Sequence, residues 1–236
     1  MITAYTGRIS PSDMLLGAKM QTLFACYREF PGAASFWESE SALLCFFSGR
    51  LTVCGKIDFD ELLSFAAFLG AREIESGAAL LPSLPGFRRT EHPLLFFSGA
   101  AAAAPVCETD DLAEIWQILC AADANFALQG DRLEWLSDLR RRIRLGYASA
   151  YCENGAAVLV TARSSREAVL GAVACRPEAR GRHAAAALVR KVCARLIAEG
   201  RKPVTAAAAF SLAEYYERIG FTRHGSLALL TQERHP

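Results

Sequence analysis

The sequence predicts an α/β (α+β) protein in two parts, and three observations support this. Apolar residues recur with strand-like and helix-like spacing in turn over residues 42–97 and 111–230 of the 236. A break of composition, SGAAAAAP at residues 98–105, interrupts these patterns. The strongest helical pattern, residues 183–199, follows a run of strand-like segments. We therefore expect a smaller α+β domain over residues 1–99 and a second α/β domain over residues 105–236.

The N-terminal part contains a predicted hairpin and a predicted helix. Apolar segments at residues 42–47 and 51–54 flank Ser48, Gly49 and Arg50, which favours a tight turn between two strands. Asp58 or Asp60 can cap a helix whose apolar face ends at Gly70. Residues 87–97 form a further strand candidate. These elements indicate a small α+β domain.

The C-terminal part has a longer order of elements. Two helices are predicted at residues 111–121 and 132–144 from their apolar spacing. Strands follow at residues 147–152, 156–162 and 168–175, and Asn154 and Gly155 form a hairpin signal between the first two. The helix at 183–199 ends at Gly200. A strand at 204–209, a helix at 212–219 and a final pair of strands around 221–230 complete the order.

Composition excludes several functional classes. Lys and Arg number 26 against 25 Asp and Glu, and this net charge of +1 gives no overall field that would attract nucleic acid or an anionic membrane. The N-terminus lacks the pattern of a signal peptide and no apolar run is long enough for a membrane span, so we expect a cytoplasmic protein. The eight cysteines form no CxxC pair, which favours reduced core thiols over disulfides or a zinc site.

The segment between the third C-terminal strand and the long helix carries the strongest chemical signal. Arg176, Arg180 and Arg182 precede the start of the helix at 183–199. A helix start carries partial positive charge, so clustered cations there favour a shared phosphate-like anion. Gly181 and the small Ala184 would allow backbone N–H groups to approach that anion closely. An ordinary solvated loop is the alternative interpretation.

Two segments together resemble the GNAT superfamily of acetyltransferases. PEARGRHAA at residues 177–185 is similar to the PExRGxGxG/A loop with which the family holds the pyrophosphate of coenzyme A. AEYYERIGF at residues 213–221 is similar to the FYExxGF segment that lies beside the coenzyme. The resemblance extends from about Val106 to the C-terminus. It departs from the family pattern at His183, where glycine is usual, and at Ala209, where asparagine is usual.

The resemblance implies a fold, a cosubstrate and a set of binding residues. The implied fold is a GNAT-like mixed, mostly antiparallel sheet flanked by helices, and the implied cosubstrate is acetyl-CoA, with no metal. Backbone groups near Ala172 and Val173 would hold the thioester. The remaining implied coenzyme contacts are Cys175, Arg180, Gly181, Arg182, His183, Ala184 and Ala185.

The resemblance also implies catalytic roles. Tyr216 would return a proton to the coenzyme thiolate as a general acid, although a core aromatic residue is the plainer interpretation. Glu167, at the start of the same strand as Ala172, is our candidate for the general base that removes the amine proton. Glu153 is a weaker candidate. The acceptor amine is not identified by any cluster of acidic or aromatic residues.

Two hypotheses for the function remain open at this point. The first is an N-acetyltransferase that acts on an amine, and the second is a non-catalytic acyl-CoA sensor or interaction module. In the N-terminal domain, residues 68–74 are similar to residues 218–224, which is compatible with a vestigial half of a GNAT fold. That domain lacks a phosphate-type loop, so we expect it to bind no coenzyme.

Overall fold

The computed structural model describes residues 1–7, 14–30, 32–100, 105–124, 126 and 131–233. The chain divides into two compact units. The first unit contains Met1–Leu95, Ala206–Tyr216 and Arg223–Pro236, and the second contains Phe96–Thr205 and Glu217–Thr222. Residues 101–104 of the expected boundary lie outside the described residues, so the domain boundary stays a prediction.

The first unit is a mixed sheet with helices. Its strands follow the order β1-β2-β3-β4-β5-β11-β6, and all the pairs from β1 to β4 are antiparallel, whereas β4 and β5 are parallel. The elements are β1 (Thr3–Ala4), α1 (Met14–Tyr27), β2 (Ala34–Glu38), β3 (Ala42–Phe47), β4 (Arg50–Gly55), α2 (Phe59–Phe68), β5 (Glu73–Gly77) and most of β6 (Phe87–Phe97), α6 (Phe210–Arg218) and β11 (Phe221–Gln232).

Local chemistry explains the predicted elements of this unit. Ser48 and Gly49 have φ of 51° and 80°, the left-handed pair that a two-residue hairpin turn between β3 and β4 requires. The Asp58 carboxylate accepts the Glu61 backbone N–H at 2.9 Å and caps α2. Leu51 and Leu62 lie in the apolar core that α2 forms with the sheet. The predicted hairpin and helix are therefore confirmed.

The second unit has the strand order β10-β9-β8-β7. The pairs β7–β8 and β8–β9 are antiparallel, and β9–β10 is parallel. One apolar core is formed by the first two helices and the β7–β9 strands. The elements are α3 (Leu112–Ala122), α4 (Arg132–Arg144), β7 (Ser149–Glu153), β8 (Ala156–Arg163), β9 (Glu167–Cys175), α5 (Ala184–Ala198) and β10 (Lys202–Ala206).

The structure confirms the order of elements and corrects several details. The expected final pair of strands is wrong, because residues 221–232 form the single strand β11. The sequence analysis missed α1, β1, β2 and β5. The α1 helix carries buried residues on most of its surface, including Leu15, Leu16 and Leu23, so it shows no narrow apolar stripe.

The described helices are short. The longest, α5, has 15 residues, and no described helix is both long and apolar enough to cross a membrane. Four of the eight cysteines are buried, and Cys107 is exposed, so the expectation that most cysteines lie in the core holds for only half of them.

Candidate functional site

The parallel strands β9 and β10 pair over only three residues. Glu167, Ala168 and Val169 face Lys202, Pro203 and Val204, and the pairing then ends although both strands continue. Immediately beyond the last pair, the Thr205 hydroxyl donates to the Leu170 carbonyl at 2.9 Å. The rest of β9, from Ala172 to Cys175, is therefore paired only with β8 among the described residues.

An irregularity in β9 coincides with this separation. The register between β8 and β9 shifts twice around Val160, which leaves Gly171 and Thr161 outside the regular pairing. A Cβ atom at Gly171 would lie 2.2 Å from the Thr161 hydroxyl oxygen, so only glycine fits this bulge. Ala172 and Val173, the predicted thioester contacts, follow the bulge directly and are half-buried. Cys175 ends the strand opposite Ala156.

The start of α5 differs from the starts of α2, α3 and α4, whereas α1 and α6 also lack an acidic residue in the first turn. An aspartate side chain caps each of α2, α3 and α4, and each has a glutamate in its first turn. At α5 the N-cap residue His183 makes no side-chain cap bond, and the first turn has no acidic residue. The N–H groups of Ala184 and Ala185 make no hydrogen bond within the described part of the chain. This helix start is suited to an external anion.

The loop before α5 has a backbone that favours glycine. Gly181 has φ of 78°, and His183 has φ of 57° and ψ of 17°, which is left-handed. The GNAT pattern has glycine at both positions. His183 therefore adopts the left-handed conformation that favours glycine at this position of the pattern, although histidine has a side chain.

The three arginines of the predicted anion site have different environments. Arg176 donates to both carboxylate oxygens of Glu114, at 2.9 and 3.0 Å, and this hydrogen bonding raises the pKa of Arg176. Arg180 donates to the Ala122 carbonyl at 2.9 Å, at the end of α3. Arg182 is exposed and has no hydrogen bond or ion pair with any residue that the structure describes. Arg182 is thus the arginine most available to an anion.

Glu167 is the first residue of β9. Its carboxylate accepts the Ser164 hydroxyl at 2.6 Å, and the same hydroxyl oxygen accepts the Glu167 backbone N–H at 2.9 Å. Five residues of strand separate Glu167 from Ala172, which corresponds to about 17 Å. This separation weighs against direct proton transfer at a thioester held near Ala172. The weaker candidate, Glu153, is bound through both carboxylate oxygens by Lys191, at 2.7 and 2.8 Å.

Tyr216 is a buried residue of α6 with 5% of its surface exposed, and its ring lies 5.6 Å from that of Tyr215. It belongs to the first unit, whereas the loop before α5 belongs to the second. After α6, Gly220 has φ of 109°, and its carbonyl accepts the backbone N–H groups of Ser98 and Gly99 at 2.9 Å. This geometry explains the glycine of the second motif, while the role of Tyr216 stays a prediction.

Three residues of the site were missed by the sequence analysis. Gly171 lies in the bulge of β9, Thr205 donates its hydroxyl to the Leu170 carbonyl, and Glu114 holds Arg176. A glycine inside a strand pattern is the signal that could have indicated the bulge. No local signal identifies the partners of Thr205 and Glu114, because these contacts depend on register. Among the described residues, no three His, Cys, Asp or Glu side chains come together as metal ligands.

Comparison with known proteins supports the fold. No protein-family model and no curated protein sequence matches the chain. A GCN5-related N-acetyltransferase from Sphaerobacter thermophilus is 16% identical, with a TM-score of 0.61 over 100% of this chain and 96% of the other. A GNAT-family acetyltransferase from Colwellia psychrerythraea is 11% identical, with a TM-score of 0.56 over 99% and 100%. A tandem GNAT protein of the clavulanic acid biosynthesis pathway is 15% identical, with a TM-score of 0.52 over 97% and 90%.

These similarities define the class of fold. The chain has the GNAT fold, a mixed and largely antiparallel open sheet flanked by helices, as the two motifs predict. The similar structures cover the first unit as well as the second. At such low identity the comparison concerns the fold alone.

Proposed function

We propose that this protein is an N-acetyltransferase that transfers an acetyl group from acetyl-CoA to an amine. The observation that carries the proposal is the start of α5, which is free of carboxylates and follows a strand that separates from its parallel neighbour. A helix start of this kind binds phosphate groups through its N–H groups and its partial positive charge. The GNAT fold supplies the context in which such a site holds coenzyme A.

The coenzyme would be bound mainly by backbone groups. Its pyrophosphate would lie at the N–H groups of the first turn of α5, with Ala184 and Ala185 small enough for close approach. Arg182 would supply a guanidinium that no described residue engages. Arg180 would contribute positive charge beside its contact with Ala122.

The reaction would occur where β9 is no longer paired with β10. Backbone groups near Ala172 and Val173 would hold the thioester carbonyl, so that they stabilise the negative charge that develops on its oxygen. The neutral amine nitrogen attacks the carbonyl carbon and forms the C–N bond. The C–S bond then breaks, the amide nitrogen loses a proton to a base, and the departing thiolate takes a proton from the Tyr216 hydroxyl.

The proposed base, Glu167, lies far along β9 from the proposed thioester contacts. Glu167 is half-buried and fixed by Ser164, and it is about 17 Å along the strand from Ala172 by strand geometry. The proton of the amine nitrogen could reach the Glu167 carboxylate only through intervening water molecules or through groups of a long acceptor molecule. Glu167 is the proposed acceptor of the proton that the nitrogen loses after attack, and substitution of Glu167 tests this role.

Substitution of Gly181 tests the coenzyme site. Gly181→Asp should weaken acetyl-CoA binding at least on the order of 10-fold, because a carboxylate beside the phosphates repels them. Gly181→Asn is the matched control, since it has the same shape, tolerates a positive φ and carries no charge. Isothermal titration calorimetry gives both affinities. Equal affinity of the folded Asp and Asn variants would contradict the proposed site.

Steady-state kinetics separates an enzyme from a sensor. Tyr216→Phe removes one hydroxyl, so coenzyme affinity should persist while kcat falls on the order of 100-fold. Glu167→Gln should lower kcat near neutral pH and recover at high pH, where more of the amine is neutral. Thiol release is measured over a broad panel of amines. Binding of acetyl-CoA without turnover of any amine by the parent protein would favour the non-catalytic sensor.

A further inference from the structure

The end of the β9–β10 pairing is marked by one buried side chain. Val204 faces Val169 in the last pair, and the next residue, Thr205, uses its hydroxyl rather than its backbone to reach the Leu170 carbonyl, at 2.9 Å. Thr205 and Leu170 are each 2% exposed, so the carbonyl has little access to water. The bulge at Gly171 begins at the following residue.

The first unit contains the same arrangement at the same register. Its parallel pair, β4 and β5, also has three residue pairs and ends with Thr52 facing Glu75. The next residue of β5, Ser76, donates its hydroxyl to the Val53 carbonyl at 2.9 Å. Ser76 is 1% exposed and Val53 is fully buried.

This correspondence extends to the surrounding elements. In each unit an antiparallel strand pair leads into a helix and then into a short parallel strand: β3, β4, α2 and β5 in one, and β8, β9, α5 and β10 in the other. The helix that corresponds to α5 is thus α2. The similarity of residues 68–74 to residues 218–224 relates different elements, the end of α2 and the end of α6.

We propose that Thr205 is a positioning residue that fixes where β9 and β10 separate, and so holds open the part of β9 that binds the acetyl thioester. This inference rests on the proposed function. The hydroxyl satisfies the Leu170 carbonyl, so this carbonyl does not require a backbone N–H from β10. In the first unit, the Ser76 hydroxyl satisfies the Val53 carbonyl in the same way.

The physical basis is the cost of a buried carbonyl without a partner. If the Thr205 hydroxyl is removed, the Leu170 carbonyl either loses its hydrogen bond or draws a backbone N–H of β10 toward it. Both outcomes disturb the strand beside Gly171, and the second lengthens the parallel pairing. Ala172 and Val173 lie two and three residues beyond Leu170, so the disturbance reaches the proposed thioester contacts directly.

Thr205→Val tests this role, because valine has nearly the shape of threonine without its hydroxyl. Ser76→Ala is the matched control in the first unit, and Thr205→Ser is the conservative variant that should restore the parent behaviour. Hydrogen exchange of the backbone amides at residues 169–173 is followed by mass spectrometry in the free protein. Affinity for acetyl-CoA is measured by calorimetry, with KM and kcat where an acceptor amine is found.

We expect Thr205→Val to change exchange at residues 169–173 on the order of 10-fold and to weaken acetyl-CoA binding by a similar factor. Ser76→Ala should change exchange near Val53 and leave coenzyme affinity at the parent value.

Two results would overturn the proposal. One is exchange at residues 169–173 that is unchanged in folded Thr205→Val, and the other is exchange in Thr205→Ser that differs from that of the parent. If Thr205→Val does not fold, Thr205→Ala removes the same hydroxyl and is measured by the same exchange and affinity readouts, and exchange at residues 169–173 equal to that of the parent would overturn the proposal. Absence of coenzyme binding by the parent refutes the proposed function, while the exchange data still decide the role of Thr205.

Discussion

His183 adopts a left-handed backbone conformation at the residue before α5, where the GNAT pattern has glycine. Its side chain is exposed and makes no hydrogen bond or ion pair with a described residue. A residue with a Cβ atom pays roughly 1 kcal/mol for this conformation, although histidine tolerates it better than most. The departure from glycine therefore adds strain to the loop at this residue.

His183→Gly should leave the free energy of unfolding equal to that of the parent or slightly higher. Relief of the left-handed strain, roughly 1 kcal/mol, is partly offset by the greater freedom of glycine in the unfolded chain. Ala187→Gly is the control, because Ala187 lies exposed within α5 and glycine there should cost about 1 kcal/mol. Urea unfolding of the three proteins measures the difference. A loss as large at position 183 as at 187 would contradict the strain argument.

At the scale of elements, a partly buried ion pair joins α1 to the sheet of the first unit. The Lys19 ammonium lies 2.7 Å from Glu75 of β5, whose other carboxylate oxygen accepts the Thr52 hydroxyl at 3.3 Å. Burial opposes ionisation of Glu75, but the positive charges of Lys19 and Arg50 outweigh it and lower the pKa of Glu75 below its usual value of 4.5. This group of side chains holds a helix that has no narrow apolar stripe.

Glu75→Gln should destabilise the protein at neutral pH by about 3 kcal/mol, because Lys19 loses its partner in a mostly buried position. The folded pKa of Glu75 is lowered, so its contribution is complete above the unfolded pKa and is lost as pH falls through the folded pKa. The difference between parent and variant should therefore shrink below about pH 4.5. Chemical unfolding at several pH values measures it.

A control for this prediction is available at the surface. Glu29 pairs with Arg28 at 3.7 Å, and both side chains are more than half exposed. Glu29→Gln should change the free energy of unfolding little at any pH, because exposed ion pairs contribute little. A constant difference between parent and Glu75→Gln from pH 7 to pH 3 would show that Glu75 acts only through packing.

At the scale of the whole molecule, the two units share one order of strands around a helix, but only the helix of the first unit begins with acidic residues. Asp58, Asp60 and Glu61 lie at the start of α2, and the start of α5 has no acidic residue. Carboxylates at a helix start satisfy its N–H groups and repel phosphates. This difference favours coenzyme binding at α5 alone.

The chain should accordingly bind one equivalent of acetyl-CoA. Calorimetry of the intact protein should give a stoichiometry near one, and Gly181→Asp should weaken that single site. Asp60→Asn in the first unit removes one acidic charge at the start of α2 and should leave both affinity and stoichiometry unchanged. Two equivalents per chain, or one that is insensitive to Gly181→Asp, would place a coenzyme in the first unit.

The sequence by itself determined the features that depend on neighbouring residues. The cap at Asp58, the turn at Asn154 and Gly155, and the extent of α5 follow from local chemistry and periodicity, and the structure confirms them. The loop at residues 177–185 was likewise recognised from its own residues. Periodicity failed for α1, because a helix buried on most sides has no stripe to detect.

Only the tertiary structure decided how distant residues meet. It assigned Arg176 to Glu114, required glycine at position 171 because Thr161 fills the adjacent space, and ended the β9–β10 pairing at Thr205. It also showed that residues 221–232 are one strand, which pairs with β5 of the first unit. Strand register and the end of a ladder depend on contacts between residues far apart in sequence, and local patterns do not encode them.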